Sequence, residues 1–264
     1  MELLTYLLTG AAAGLMAGLL GVGGGLIIVP ALATLFVHQG FTPNTIMHYA
    51  VGTSLATIIP ISISSLLAHQ RRGSVDWLVV RGMTPSIVVG ALGGARLAGY
   101  VSSPGLSLFF GVFVLLVALQ LAFALQPAAH RPNPGQAASG LAGVVIGLVS
   151  GLLGIGGGSR TVPFLLWNRV DIRLAVGTAA TIGLPIAIAG TLGFIFSGLD
   201  VSAPPGYNSG FVYWPAAAVV ALASVPAAPL GARLAHYLPQ ATLQRVFALL
   251  LVIIGVKMIL ATGT

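Results

Sequence analysis

Two glycine-rich runs inside strongly apolar sequence carry the strongest chemical signal in this chain. Residues 18–25 read Gly-Leu-Leu-Gly-Val-Gly-Gly-Gly, and residues 151–158 repeat this run 133 positions later with isoleucine in place of valine. Glycine lets the backbone turn tightly and lets a ligand approach it closely. The first amides of a helix lack intrahelical partners and can hold an anion without a charged side chain. The runs therefore predict two broken helices whose amides face an anion.

A binding site explains clustered glycines better than helix packing alone, because one glycine is enough for a close helix contact. Close helix packing is the better explanation for the small residues that precede the clusters, at residues 10–18 and 143–151. The candidate substrate-binding residues are Gly23, Gly24, Gly25, Gly156, Gly157, Gly158, Ser159, Arg160, Thr53, Ser54 and Thr178.

Arg160 follows the second glycine run, where the first copy has Ile27. A charged side chain within a membrane segment is costly and usually functional. The planar guanidinium can donate two hydrogen bonds to one oxyanion. The alternatives are that Arg160 reaches the cytoplasmic surface or pairs with Asp171.

Each copy has hydroxyl residues about two turns into a helix. They are Thr53 and Ser54 in the first copy and Thr178 in the second. Their hydroxyls could donate to a substrate. They could equally bond the backbone carbonyl one turn earlier, which is common for such residues in helices.

The composition defines the class of protein that must hold these residues. Of 264 residues, 57% are hydrophobic and 6% charged, whereas a soluble domain has about 25% charged residues. Apolar stretches of membrane-spanning length recur along the chain, so we predict an all-α polytopic membrane protein. The net charge of +7 is attributed to arginines that face the cytoplasm and anionic headgroups, and not to a nucleic-acid partner.

What the sequence lacks narrows the function further. There is no cysteine and there are four acidic residues, all at or near predicted loops, so carboxylates for cation coupling in mid-membrane are missing. A phosphate-binding loop and a hydrolytic triad are also missing. We expect neither an enzyme nor a bound metal or cofactor.

The chain divides into two copies of one unit, residues 1–131 and 132–264, joined by a proline-rich linker at 126–135. Beyond the glycine runs, Ala-Val-Gly-Thr occurs at 50–53 and 175–178, and Gly-Ala-Arg-Leu-Ala occurs at 94–98 and 231–235. In the first copy we predict a hairpin at about 3–37 and helices at about 46–69, 77–98 and 105–125. In the second we predict a hairpin at about 138–168 and helices at about 174–197, 212–235 and 242–262.

The distribution of arginine predicts the topology. The second segment of each copy is too short to span about 30 Å of hydrocarbon, so the first two segments form a re-entrant hairpin with the glycine run at its end. With three further crossings per copy, the copies are inverted and eight arginines fall on one side. Both termini then lie outside. The eight are Arg71, Arg72, Arg81, Arg131, Arg169, Arg173, Arg233 and Arg245.

The doubled glycine run, with Pro30 and Pro163 after it, the two Ala-Val-Gly-Thr motifs and the two Gly-Ala-Arg-Leu-Ala motifs resemble the sulfite exporter TauE/SafE family over essentially the whole chain. The resemblance implies a bacterial inner-membrane transporter for sulfur-containing anions such as sulfite, sulfonates or sulfoacetate. The second copy departs from the first at Ser159, Arg160 and Thr161, so substrate contacts are expected to be asymmetric.

The leading hypothesis is export of a small sulfur oxyanion through a central site between two glycine-tipped hairpins. An anion channel or an uptake permease for related anions is the first alternative. A membrane scaffold or assembly protein is an alternative of another class. The expected partners are a small anion and the lipid bilayer, with a homo-oligomer left open.

Overall fold

The computed structural model describes residues 2–20, 24–123, 136–201, 207–235 and 240–261. Within these ranges the chain is helical apart from short loops and one two-stranded hairpin. The helices are α1 (Glu2–Leu20), α2 (Gly25–His38), α3 (Ile46–Arg71), α4 (Trp77–Ala98), α5 (Ser103–Ala122), α6 (Gln136–Leu153), α7 (Gly158–Trp167), α8 (Ile172–Ser197), α9 (Trp214–Ala235) and α10 (Gln240–Leu260).

Five helices of the described chain are long and apolar enough to cross a membrane: α3, α4, α5, α8 and the Trp214–Gly231 part of α9. The sequence predicts a sixth crossing in α10, which has 21 residues. By contrast, α2 has 14 residues and α7 has 10. At 1.5 Å per residue neither crosses about 30 Å of hydrocarbon.

The first helix of each copy packs against the fourth helix of the other copy. In α1, a Cβ atom on Gly14 would overlap the carbonyl of Ser224 in α9. In α6, a Cβ on Gly147 would overlap the carbonyl of Ile87 in α4. These two contacts occupy equivalent positions of the repeat. Small residues bring the backbones this close because they remove the side chains between them.

The long helices α3 and α8 form the buried centre and run antiparallel. A Cβ on Gly190 would lie 2.8 Å from the side chain of Leu55, and a Cβ on Gly183 would lie 3.3 Å from Ser62 Oγ. Later residues of α3 therefore lie beside earlier residues of α8, which is the arrangement of antiparallel helices. The two helices are equivalent members of the two copies.

The fifth helices also meet each other. A Cβ on Gly111 of α5 would lie 2.9 Å from the carbonyl oxygen of Gly255, and a Cβ on Gly255 of α10 would lie 3.0 Å from that of Gly111. Ser107 donates to the carbonyl of Met258 at 2.8 Å. The contact between α5 and α10 is therefore reciprocal.

One end of the bundle is basic. The carbonyl of Ser74, in the loop between α3 and α4, lies against Gly177 near the start of α8. The loop after α3 and the loop before α8 are therefore neighbours. The described arginines in or near these two loops are exposed: Arg71, Arg72, Arg81, Arg169 and Arg173.

The opposite end is closed by aromatic side chains and the strand hairpin. Strand β1 (Asn208–Ser209) pairs antiparallel with β2 (Val212–Tyr213). Gly210 in the turn has φ +53°, and a Cβ there would overlap the backbone of Ile195. The sequence predicts a helix from about residue 212. The structure instead starts α9 at Trp214, because residues 212 and 213 pair as a strand.

Several predictions fall on residues outside the described ranges. They are the boundary between the copies at residues 131 and 132, the linker at 126–135, Arg131, the predicted helix ends at 125 and 262, and Gly23 in the first glycine run.

Candidate functional site

Two helix boundaries occupy equivalent positions of the repeat. Helix α1 ends at Leu20 and α2 begins at Gly25, while α6 ends at Leu153 and α7 begins at Gly158. We call Gly24 and Gly25 the first tip and residues 154–158 the second tip. The residues that precede α2 and α7 are Gly24 and Gly157, and neither helix start receives a side-chain cap. The first amides of α2 and α7 therefore lack partners within their helices and remain available to a ligand.

The two tips lie against each other in the interior. A Cβ on Gly25 would lie 2.5 Å from the carbonyl oxygen of Gly154 and 2.8 Å from Cα of Ile155. Only glycine permits this approach of two backbones. The start of α2 and the break before α7 thus meet at one place. Gly24, Gly25, Gly156, Gly157 and Gly158 are all buried.

Ser54 links α3 to the second tip. Its hydroxyl donates to the carbonyl of Gly154 at 2.9 Å. Gly154 has φ +71°, and a Cβ there would lie 3.0 Å from both Val29 and Val51. Glycine is required at this position both by the left-handed backbone and by the close contact. The second tip is therefore held by the first copy.

Thr53 and Thr178 connect the two copies. Thr53 Oγ1 accepts the backbone N–H of Tyr213 at 3.0 Å, and Thr178 Oγ1 accepts that of Asp76 at 2.9 Å. Tyr213 and Asp76 are themselves equivalent residues, each directly before the tryptophan that starts a helix. The sequence suggested a substrate or a carbonyl one turn back as partner. The observed partner in both cases is an amide of the other copy.

Arg160 lies over an aromatic ring. Its Cζ is 4.4 Å from the ring centroid of Phe113 in α5, a cation–π contact. Asp171 accepts the backbone N–H of Arg173 at 2.9 Å and caps α8. Arg160 and Ser159 are half-buried at the start of α7. Arg160 thus provides a positive charge next to the second tip.

The structure also brings Ser62 and Gly183 next to the second tip, and the sequence prediction did not include them. Thr161 lies there too, and the sequence analysis named it only as a departure between the copies. Thr161 Oγ1 lies 3.4 Å from the Cβ position of Gly157. Comparing the two copies residue by residue would have detected these positions, because each carries a different residue type in the other copy.

Among the described residues, no group of three or more histidine, aspartate or glutamate side chains is placed to hold a metal ion. The site consists of backbone amides, hydroxyls and one arginine, which are donors suited to an anion.

A bundle of apolar helices with two buried backbone breaks that meet beside an arginine is the architecture of a membrane transporter. The sulfite exporter TauE/SafE family model matches residues 6–258. The chain belongs to this family.

Relatives along the full length have matching descriptions. A "probable membrane transporter protein" of Haemophilus influenzae is 34% identical over 98% of both chains. One from Methanocaldococcus jannaschii is 26% identical over 96% of this chain and 94% of its own. YunE of Bacillus subtilis, with the same description, is 29% identical over 98% of both chains. No solved structure matches the chain.

Proposed function

We propose that this transporter exports a small sulfur-containing oxyanion, sulfite or an organosulfonate such as sulfoacetate, through a site between the two tips. The observation that carries the proposal is the contact of Gly25 with Gly154 and Ile155. It joins the amide-rich breaks of both copies at one buried place. Membership of the family supports a sulfur oxyanion as the substrate.

The packing supports inverted copies in the membrane. The equivalent helices α3 and α8 run antiparallel, so one copy is turned over relative to the other. The exposed basic loops at one end of the bundle favour that end as the cytoplasmic one. Both termini then face the outside of the inner membrane, and the two hairpins enter from opposite faces.

In this proposal the second tip provides most of the attraction for the anion. Arg160 supplies the charge, while Ser159 and the amides of Gly156, Gly157 and Gly158 supply neutral donors. Thr53, Ser54 and Thr178 hold the surrounding helices and the tip in place through their hydrogen bonds. The inside-negative potential favours outward movement of an anion by about 2.3 kcal/mol per charge per 100 mV.

Flux into or out of proteoliposomes tests the proposal, with sulfite, sulfate, thiosulfate, sulfoacetate and taurine as the panel. Wild type should transport sulfite or sulfoacetate in preference to sulfate. Gly157→Val should abolish flux, because its side chain would cover the amide at the start of α7 and the hydroxyl of Thr161, whose Oγ1 lies 3.4 Å from the Cβ position. Gly93→Ala is the control, since a Cβ there meets nothing within 4 Å. If wild type transports none of these anions, the proposal is wrong.

A further inference from the structure

Thr161 carries a buried hydroxyl that nothing in the described chain satisfies. The residue is 0% exposed, and Oγ1 has no hydrogen-bond partner. Buried polar atoms are rarely left in this state unless water or a ligand supplies the partner. Thr53 and Thr178 accept backbone amides. Three other buried threonines bond the carbonyl one turn earlier: Thr57, Thr181 and Thr191.

Further polar atoms surround the same point. A Cβ on Gly183 of α8 would lie 3.3 Å from Ser62 Oγ and 3.9 Å from the backbone nitrogen of Gly157. Ser62 is 6% exposed. Two hydroxyls, from α3 and α7, thus lie beside the amide at the start of α7. Gly157 and Gly183 have no side chains that could cover these polar atoms.

The equivalent place at the first tip is apolar. Ile28 stands where the second copy has Thr161, and its Cδ1 lies 3.0 Å from the Cβ position of Gly24. The counterpart of Gly183 is Ile58, which is buried, and the counterpart of Ser62 is Ala187. Each of these polar or open positions at the second tip therefore has a hydrocarbon counterpart at the first tip. A packing requirement common to both tips does not explain this difference.

We propose that Thr161 Oγ1, Ser62 Oγ and the N–H of Gly157 form a subsite for one oxygen of an oxyanion headgroup. All three are hydrogen-bond donors, and a sulfite or sulfonate oxygen accepts such bonds without needing a full positive charge beside it. Because the first tip has no equivalent, the transporter binds a single headgroup, on the side of the second copy. This inference rests on the proposed function and names further groups that bind its substrate.

The test compares Thr161→Val with Thr161→Ser in proteoliposomes loaded with sulfite. Valine keeps the shape of threonine and removes only the hydroxyl. The KM for sulfite should rise about tenfold in Thr161→Val, the effect of losing one hydrogen bond to a charged acceptor. Thr161→Ser should keep the KM of wild type. Ser62→Ala should raise the KM in the same direction.

Two further measurements separate binding from packing. Sulfite binding to the detergent-purified protein, measured by calorimetry, should weaken by the same factor in Thr161→Val. The midpoint of thermal unfolding of Thr161→Val should not fall below that of wild type, since the substitution removes an unpaired buried hydroxyl. The matched control is Thr191→Val in α8, whose hydroxyl already bonds the carbonyl of Ala187 at 2.7 Å. Its KM should equal that of wild type.

An unchanged sulfite KM in both Thr161→Val and Ser62→Ala would overturn the subsite and leave the proposed function intact. A wild type that transports no anion of the panel would overturn the proposed function and this inference together.

Discussion

Thr178 accepts the backbone N–H of Asp76 at 2.9 Å, which ties the start of α8 to the loop before α4. Thr53 makes the equivalent bond to Tyr213 at the opposite end of the bundle. Each copy of the repeat thus holds the other at one end of the bundle.

Replacing either threonine by valine should lower stability by about 1–3 kcal/mol, because a partly buried amide loses its acceptor. The effects of Thr53→Val and Thr178→Val should be similar, since the two bonds are equivalent. Thermal unfolding of the purified protein measures this. Thr178→Ser keeps the hydroxyl and serves as the control. A midpoint for Thr178→Val equal to that of wild type would contradict the prediction.

Gly25→Ala should abolish transport and reduce the yield of folded protein. The added methyl group would meet the backbone of Gly154 and Ile155 at 2.5 and 2.8 Å, and the backbone cannot turn aside as a flexible side chain can. Anion flux and size-exclusion profiles report the two effects. Gly82→Ala is a suitable control because a Cβ there meets nothing within 4 Å. Normal flux in Gly25→Ala would argue against close contact of the tips.

Substitutions at Arg160 should separate charge from geometry. Arg160→Ala should reduce sulfite flux about tenfold or more, the effect of losing a charge-assisted hydrogen bond. The sulfite flux of Arg160→Lys should lie between that of wild type and that of Arg160→Ala, because lysine keeps the positive charge but loses the planar guanidinium.

Phe113→Leu should reduce flux less than Arg160→Ala, since the ring orients the guanidinium at 4.4 Å without itself being a donor to the anion. Initial rates at several sulfite concentrations give the order of the variants. Equal rates for Arg160→Ala and wild type would exclude Arg160 from the site.

Single cysteines can test the orientation directly, because the native chain contains none. Arg72→Cys and Arg173→Cys should react with an impermeant maleimide only from the cytoplasmic side. Asp200→Cys should react from the outside. All three residues are exposed, so access should depend on the side and not on burial. Labelling of Arg72→Cys and Arg173→Cys from different sides would exclude the proposed topology.

The helices and the two breaks could be predicted from the sequence, since apolar stretches, glycine runs and prolines are local signals. Trp77 and Ala98, for example, are both the predicted and the observed ends of α4. The strand hairpin could not be predicted, because it depends on the contact of Gly210 with Ile195 across a loop.

Local sequence patterns also could not predict the interactions between the copies. Nothing near Thr53 in sequence indicates that its partner is Tyr213, 160 residues later. Phe113 is likewise distant from Arg160 and lies on a helix with uniformly apolar neighbours. The proximity of Thr161 and Ser62 to the start of α7 depends on α3, α7 and α8 meeting, which only the folded chain defines.

The first helix of each copy packs against a helix of the other copy, and this affects the order in which the helices can pack during synthesis. The ridge of Gly10 and Gly14 on α1 packs on α9, which is synthesised after α2–α8. By contrast, α6 finds α4 already in the membrane. Helix α6 can therefore pack on α4 as soon as it emerges, while α1 must wait for α9. A ribosome stalled before Trp214 would carry a chain with α6 packed on α4 and α1 not yet packed on α9.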